Sequence, residues 1–317
     1  MLKALKFVQG AVARKDFVNA LTHFRIRDGQ IMGYNGALSL SCPIPLDINC
    51  MPKATPFIKA IQTCREETTS MHLTPSGRLS IKSGAFKVLV ECIDEGFPDI
   101  EPEGDVVKVE GSIQNALKIL EPFIAEDASR PWARGILFRG RSAFATNNVV
   151  LMEKWVGHHI PIDLNIPRAA VVELLRIGEE PVDIQVTHNS ATFHFTGHRW
   201  LKTQLYSTEW PDLSKVLDKD FVPEPFPAGF FEALEDMAPF SNKLRQVFLT
   251  EGRMQTEQTD EQGAQVEVAG IKHKGLFNLD LLLGLKGTAE VIDLSSYPRP
   301  CLFTGNGVRG CIIGMRS

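Results

Sequence analysis

His23-Phe24-Arg25-Ile26-Arg27-Asp28-Gly29-Gln30-Ile31 reads as a strand alternating polar and apolar residues, a glycine turn and the start of a second strand. The same arrangement returns in Gly135-Ile136-Leu137-Phe138-Arg139-Gly140-Arg141, with Gly140 as the turn glycine. It returns again in Val247-Phe248-Leu249-Thr250-Glu251-Gly252-Arg253-Met254, around Gly252. The three glycines stand about 110 residues apart, which is long for a solenoid repeat and ordinary for a domain.

Two further landmarks keep that spacing. Downstream of each hairpin lies a stretch with apolar residues three and four apart, the signature of an amphipathic helix: Pro56 to Glu67, Pro167 to Ile177, and Phe277 to Leu285. Proline suits a first helical turn, where its missing N–H has no intrahelical acceptor. A second alternating hairpin follows, turning at Gly84 after Leu79-Ser80-Ile81-Lys82-Ser83, at Gly197 after Phe193-His194-Phe195-Thr196, and at Gly305-Asn306-Gly307 after Cys301-Leu302-Phe303-Thr304. Ahead of each first hairpin is an apolar helical stretch, Leu2 to Ala13, Ser112 to Ala125 and Pro227 to Ala238, with Ser112 as an N-cap candidate and Pro227 at a first helical position. Repeats one and two close alike, in Phe97-Pro98-Asp99-Ile100 and Trp210-Pro211-Asp212-Leu213. The sequence is therefore expected to be an α+β chain of three tandem domains, 1–105, 106–220 and 221–317, each with two helices packed on antiparallel sheets.

Composition sets bounds on function. A 317-residue chain that is 44% hydrophobic has ample material for a core, and no apolar run is long enough for a membrane helix. The N-terminus lacks a signal-peptide core. A net charge of −4 means that any contact with nucleic acid must rest on positive residues gathered on one surface. The six cysteines, Cys42, Cys50, Cys64, Cys92, Cys301 and Cys311, have neither CxxC spacing nor the density of a disulfide scaffold, so they read as reduced, mostly buried thiols of a cytoplasmic protein.

Three such domains in a chain of this length resemble the bacterial and phage sliding clamps, the beta subunit of DNA polymerase III. The resemblance runs over nearly the whole chain. It is carried by Arg78 to Phe86 with Phe97-Pro98-Asp99-Ile100, by Ala145-Thr146-Asn147, Ile166 to Leu174 and Trp210 to Leu213, and by Ser241-Asn242, Phe277-Asn278 and the terminal Ile312 to Ser317. It implies a crescent that dimerises head to tail into a ring, a DNA processivity factor that encircles duplex DNA without reading its sequence. The implied partners are DNA, a polymerase, a clamp loader and a second copy of the chain, with no membrane, no cofactor and no enzymatic activity. The alternative is a clamp-fold interaction scaffold that no longer encircles DNA.

A clamp holds the phosphate backbone through lysines and arginines that face inward. The candidates are Arg14, Lys15, Lys118, Arg130, Arg168 and Arg176, with Lys3, Lys6, Lys53, Lys59, Lys243, Lys272 and Lys274 as further positives around the helices. The plainer reading of many of them is a solvated helix face. The resemblance maps a partner-peptide pocket onto Ala133, Thr146, Val149, Leu151, Pro211, Val216, Ile313, Met315 and Arg316, and the subunit contact onto Phe86, Val88 and Phe240. The chain departs from the family in three places. It lacks the short strand that usually precedes the first helix. It reads Ala145-Thr146-Asn147-Asn148-Val149-Val150-Leu151 where the family has Ala-Thr-Asp-Gly-His-Arg-Leu, so its peptide is expected to be more apolar. Its tail has Gly314 where the family has proline. Such drift suits a phage-encoded clamp. The residues after Gly310 are expected to be dispensable to the cores.

Other motifs point nowhere else. Gly305-Asn306-Gly307-Val308-Arg309-Gly310 matches a dinucleotide fingerprint but has no helix to open, so it reads as a hairpin turn. His194 and His198 straddle the turn at Gly197 rather than a helix face, and His158-His159, with no third ligand, reads as a loop pair, so no metal site is expected. Neither a GxSxG element nor a local Ser-His-Asp arrangement occurs, and no catalytic residue is assigned.

Overall fold

The computed structural model describes residues 1–316 apart from Glu95, Ala128, Thr208, Asp260 and Glu261. The chain forms two compact units, one of residues 1–114 with 166–207, the other of 115–165 with 208–317.

The first unit is built on a seven-stranded antiparallel sheet in the order 25–27, 30–34, 38–43, 199–204, 190–195, 183–186, 105–108. Its central ladder joins segments far apart in sequence, with Trp200 opposite Ser41, Leu201 opposite Leu40 and Lys202 opposite Ser39. Period-two alternation puts Leu38, Leu40, Leu201 and Phe193 on one face and Ser39, Ser41, Lys202 and Trp200 on the other. Helix α1 (Leu2–Val8) packs on strands 30–34 and 38–43 and is buried at Ala4, Leu5, Phe7 and Val8, with the Phe7 ring edge-on to Phe195. The approach is close: a Cβ on Gly33 would stand 2.7 Å from the carbonyl oxygen of Val8. Helix α2 (Ala54–Thr63) buries Phe57 against Phe24. A two-stranded ladder (51–52 with 92–93) and a three-stranded sheet (70–73, 79–83, 86–90) complete this part of the chain.

Helix α3 (Ile113–Leu120) follows Ser112 as expected and continues as a 3-10 turn through Phe123. Helix α4 (Arg168–Ile177) starts after Pro167 and ends on Gly178 at φ +69, a left-handed C-terminus that favours glycine. The second unit holds a six-stranded sheet in the order 135–146, 150–167, 308–312, 301–305, 291–292, 224–225, and a four-stranded sheet in the order 265–267, 253–255, 246–250, 275–278. Its helices are α5 (Ser214–Leu217), α6 (Phe230–Met237) and α7 (Leu279–Leu283).

Several sequence expectations are corrected. Gly140 has φ +61 but marks no turn, because Gly135–Thr146 is one continuous strand and the chain reverses at residues 147–149. His158-His159 lies inside the strand Val150–Pro167 rather than in a loop. Pro227 is not at a first helical position: α6 begins three residues later behind Gly229, and the Pro227 carbonyl accepts from Phe230 N. Phe277 belongs to a strand, and the helix after it starts at Leu279, capped by the Asn278 side chain, which accepts from Leu281 N. The glycine-rich run at 305–310 is a hairpin turn, with Asn306 and Gly307 at positive φ.

Helices α1 and α4 are tied by one arginine. Arg176 Nη2 donates to the Phe7 carbonyl at 2.7 Å, Nη1 to the Lys6 carbonyl at 3.1 Å, and the guanidinium pairs with Glu173, whose side chain is 8% exposed. The carboxylate sits where a Cβ on Gly10 would be, so a larger residue there would have to displace it. Removing the guanidinium leaves a buried carboxylate and the C-terminal carbonyls of α1 without their donor. Arg176→Ala is expected to lower unfolding free energy by about 2 kcal/mol, less than the 3–5 typical of a fully buried pair because Arg176 is 42% exposed and water can replace part of the contact. Urea titration measures it, and an unchanged midpoint would show that the tie carries no stability.

Candidate functional site

In the second unit, the turn that joins the two longest strands is built by side chains. Asn147 Oδ1 accepts from Val149 N (3.1 Å) and Val150 N (2.8 Å). Thr146 Oγ1 donates to the Val150 carbonyl (2.7 Å) and accepts from Asn148 N (3.1 Å). Asn148 takes φ +73, a conformation that asparagine tolerates better than most residues, and its Oδ1 accepts from Arg130 Nη1 at 2.6 Å. The C-terminal strand docks beside this turn, with Ile312 opposite Val150 and Cys311 opposite Leu151, and Ile313 N continues the ladder by donating to the Val149 carbonyl at 2.9 Å.

Beyond the ladder the tail is pinned. Met315 N donates to the Leu276 carbonyl (2.7 Å), and Tyr297 Oη donates to the Met315 carbonyl (2.9 Å). The Tyr297 ring, itself against Phe277, lies 2.3 Å from where a Cβ on Gly314 would stand. That contact explains the glycine: a larger residue meets the ring. Cys311 and Ile312 are buried strand residues, so the expectation that everything after Gly310 is dispensable is overturned, and only the residues after Ile313 lie beyond the ladder with Val150.

Under the turn and tail sits a cluster of Leu137, Phe144, Leu151, Trp210, Leu217, Leu302 and Cys311, with Trp132, Leu213, Val216 and Phe221 packed against it and partly exposed. Trp132 and Trp210 meet edge to face at 4.9 Å. Burial pushes the Cys311 thiol up to about 11, so it stays neutral in this apolar setting.

The structure brings together most of the residues expected at the pocket and sorts them by access. Val149, Val216 and Met315 are half-buried, and Pro211, Ile313 and Arg316 are exposed. Thr146 and Leu151 are buried beneath the surface, and Ala133 is fully enclosed and offers nothing to a ligand. Trp132, Leu213 and Phe221 were not anticipated. The spacing of Leu213, Val216 and Leu217 carried a signal for these three residues, since three-and-four spacing puts them on one side of the turn formed by Leu213 and α5. The result is a partly exposed apolar surface beside the turn that carries the Arg130–Asn148 bond. A cavity of about 1320 Å³ opens elsewhere, on the polar face of the seven-stranded sheet, under a segment tethered by Arg25–Asp99 (2.6 Å) and Lys202–Glu103 (2.8 Å).

The basic candidates fall in both units. Arg14 and Lys15 are exposed between two 3-10 turns, and Arg168 opens α4, half-buried. Arg176 is engaged with α1 as described. Lys118 is exposed in the last turn of α3. Among the described residues, no group of three His, Cys, Asp or Glu side chains could hold a metal ion.

Solved structures match this chain over its full length. The sliding clamp of Bartonella birtlesii, in a crystal structure bound to griselimycin, superposes with a TM-score of 0.85 at 18% identity, covering 100% of this chain and 97% of that one. The fold is that of a DNA polymerase sliding clamp. The DNA polymerase III beta chain of Streptococcus pneumoniae gives 0.84 at 17% identity and the beta subunit of Pseudomonas aeruginosa 0.82 at 20%, with the same coverage. No family model matches the sequence, and no curated protein matches it.

The Gly314–Tyr297 contact is testable. Gly314→Ala should displace the ring and cost about 1–3 kcal/mol in urea unfolding, the usual range for overpacking. Paired with Tyr297→Leu, which removes the rigid ring, most of that cost should vanish, and an additive double variant would show that the two residues do not clash.

Proposed function

We propose that this chain is a DNA sliding clamp, a processivity factor that encircles duplex DNA and tethers a replicative polymerase, and that it is not itself an enzyme. The observation that supports it most is the way sheets are shared between repeats in a chain with the clamp fold. The strand 38–43 after the first hairpin of repeat one pairs with 199–204, the last strand of repeat two, and the strand starting at Val150 in repeat two pairs with 308–312, the last strand of repeat three. On this reading the three domains are 1–105, 106–220 and 221–317, each completing its neighbour's sheet.

The same rule applied to the ends leaves two edges without a partner among the described residues: Phe86–Val90, the last strand of the three-stranded sheet in repeat one, and Gln265–Glu267, which follows the first hairpin of repeat three. An unpaired edge offers a row of N–H and C=O groups for another strand. Two copies arranged head to tail would satisfy both edges twice and close a ring with isologous symmetry. Exposed apolar side chains accompany them: Phe240 is 64% exposed and Leu244 62%, and Phe86 and Val88 are half-exposed on the edge strand. Arg14, Lys15, Lys118, Arg130 and Arg168 then contact phosphates inside the ring, with Arg176 holding α4 in place. The apolar surface around Val149, Val216, Ile313 and Met315 captures a short segment of the polymerase or of a clamp loader, as an apolar groove with a few polar edges does. With valines where the family has histidine and arginine, the segment is more apolar than the family's usual one. The protein acts in the cytoplasm, of the host if the chain is phage-encoded.

Ring closure predicts that Phe240→Arg, which puts an unpaired charge into an apolar contact, shifts the protein to monomer at micromolar concentration. Sedimentation equilibrium reads this, and an unchanged dimer mass would move the contact elsewhere. Enclosure predicts that protein loaded on circular duplex survives a wash at about 1 M salt, where screening acts within about 3 Å, and leaves once the circle is cut. Equal loss from circular and linear DNA would favour the scaffold that no longer encircles DNA.

A further inference from the structure

Four of the six cysteines are accounted for by packing. Cys42, Cys301 and Cys311 are buried and their thiols are pushed up by desolvation, Cys301 to about 12. Cys64 donates to the Ala60 carbonyl at the end of α2. Cys50 and Cys92 differ. Strands 51–52 and 92–93 pair antiparallel with Pro52 opposite Cys92 and Met51 opposite Ile93, while Cys50 is bridged on its other side to Ile26. Two residues before Pro52, Cys50 points to the same face as Pro52 and so lies on the diagonal from Cys92. Both residues are only half-buried. The proximity of the two thiols lowers Cys92 and raises Cys50, so Cys92 is the more acidic of the pair.

We propose that Cys50 and Cys92 form a thiol oxidation site, at which a hydroperoxide converts the pair to an intramolecular disulfide. The Cys92 thiolate attacks one peroxide oxygen, the O–O bond breaks, and Cys92 sulfenic acid forms as the other oxygen leaves as hydroxide or alkoxide, taking up a proton. The Cys50 sulfur then attacks the sulfenic sulfur, its proton leaves with the hydroxyl as water, and the S–S bond closes. Two thiols are oxidised by two electrons and one peroxide is reduced. Diagonal neighbours have Cα atoms about 7–8 Å apart, against a usual disulfide maximum near 6.8 Å, so closure draws the two strands together by about an ångström.

The location gives the bond a consequence. Residues 50 and 92 bracket α2 and the whole three-stranded sheet, so the disulfide closes that lobe into a loop at its base. Opening of the lobe is then restricted. The edge strand Phe86–Val90 ends two residues before Cys92, so oxidation also bears on the edge assigned to subunit pairing, an effect that rests on the clamp reading.

The site is tested on the full-length protein with hydrogen peroxide. Expected is the loss of two titratable thiols, a mass lower by about 2 Da, one cross-linked peptide pair containing Cys50 and Cys92, and reversal by a dithiol reductant. Cys50→Ser should stop at a sulfenic acid on Cys92, trapped by a 1,3-dione, and Cys92→Ser should leave Cys50 unoxidised under the same exposure. Oxygen addition without a bridge in the native protein, or a bridge to any other cysteine, overturns the proposal. These readouts need neither DNA nor a second subunit, so they stand apart from the enclosure test: a failed bridge leaves the clamp reading untouched, and a failed enclosure leaves the dithiol site.

Discussion

The ladder between Leu38–Pro43 and Arg199–Gln204 is the constraint on which the first unit depends, because it joins strands about 160 residues apart and makes seven strands from two smaller sets. Its register is fixed by burial on both sides. A slip of one residue would turn Leu40 and Leu201 to the polar face and press Ser41 and Lys202 against α1. Helix α1 in turn can approach only because Gly33 has no side chain, and α4 is held to α1 by Arg176. The second unit repeats the principle with Val150–Lys154 against Val308–Ile312, where a Cβ on Gly310 would stand 2.3 Å from the Leu151 carbonyl oxygen. Each shared sheet thus carries a glycine at its closest approach.

Short-range structure was legible in the sequence where one signal agreed with another. The hairpins turning at Gly84, Gly197 and Gly307 combine alternation with a residue that accepts positive φ, and α2 and α4 combine apolar spacing with proline in or before the first turn. Gly140 misled because a positive-φ glycine inside a strand looks the same in sequence as one in a turn, and only the partner strand distinguishes them. The Phe277 stretch misled for a related reason: Gly275–Asn278 and the single-turn helix after it are both apolar, and the break is set by one side chain, Asn278, reaching Leu281 N. Sheet sharing between repeats left no local mark. Each pairing strand looks complete in sequence, and its partner lies about 160 residues away.

At the candidate cleft, the family resemblance pointed to the turn at 146–150 and the tail, but access could not be read from identity. Ala133, Thr146 and Leu151 serve as the floor, while Trp132 and Phe221, outside any recognisable motif, supply the open apolar surface. The changed turn keeps its shape through different chemistry. Asn148 occupies the left-handed position where the family has glycine, and Asn147 supplies the turn acceptor where the family has aspartate. Against the family pattern that the sequence resembles, a negative and two positive or titratable groups are gone, which leaves the surface dependent on apolar contact.

Charge completes the picture. Much of the chain's positive charge is committed within the fold: Arg25 to Asp99, Arg199 to Glu179, Arg245 to Asp280, and Arg309 to both Glu153 and Asp218. Arg14, Lys15 and Lys118 remain exposed without an ion pair among the described residues. For a protein that grips DNA by contact alone, a net charge of −4 would give weak and salt-labile binding, since affinity falls with each phosphate contact that salt displaces. For a ring the requirement is different. Closure keeps the duplex inside whatever the contact energy, and weak, sequence-independent contacts are what permit sliding. A net charge of −4 therefore fits the proposed enclosure better than it fits grip, and on that reading the strength of the subunit contacts, more than the number of phosphate contacts, sets residence on DNA.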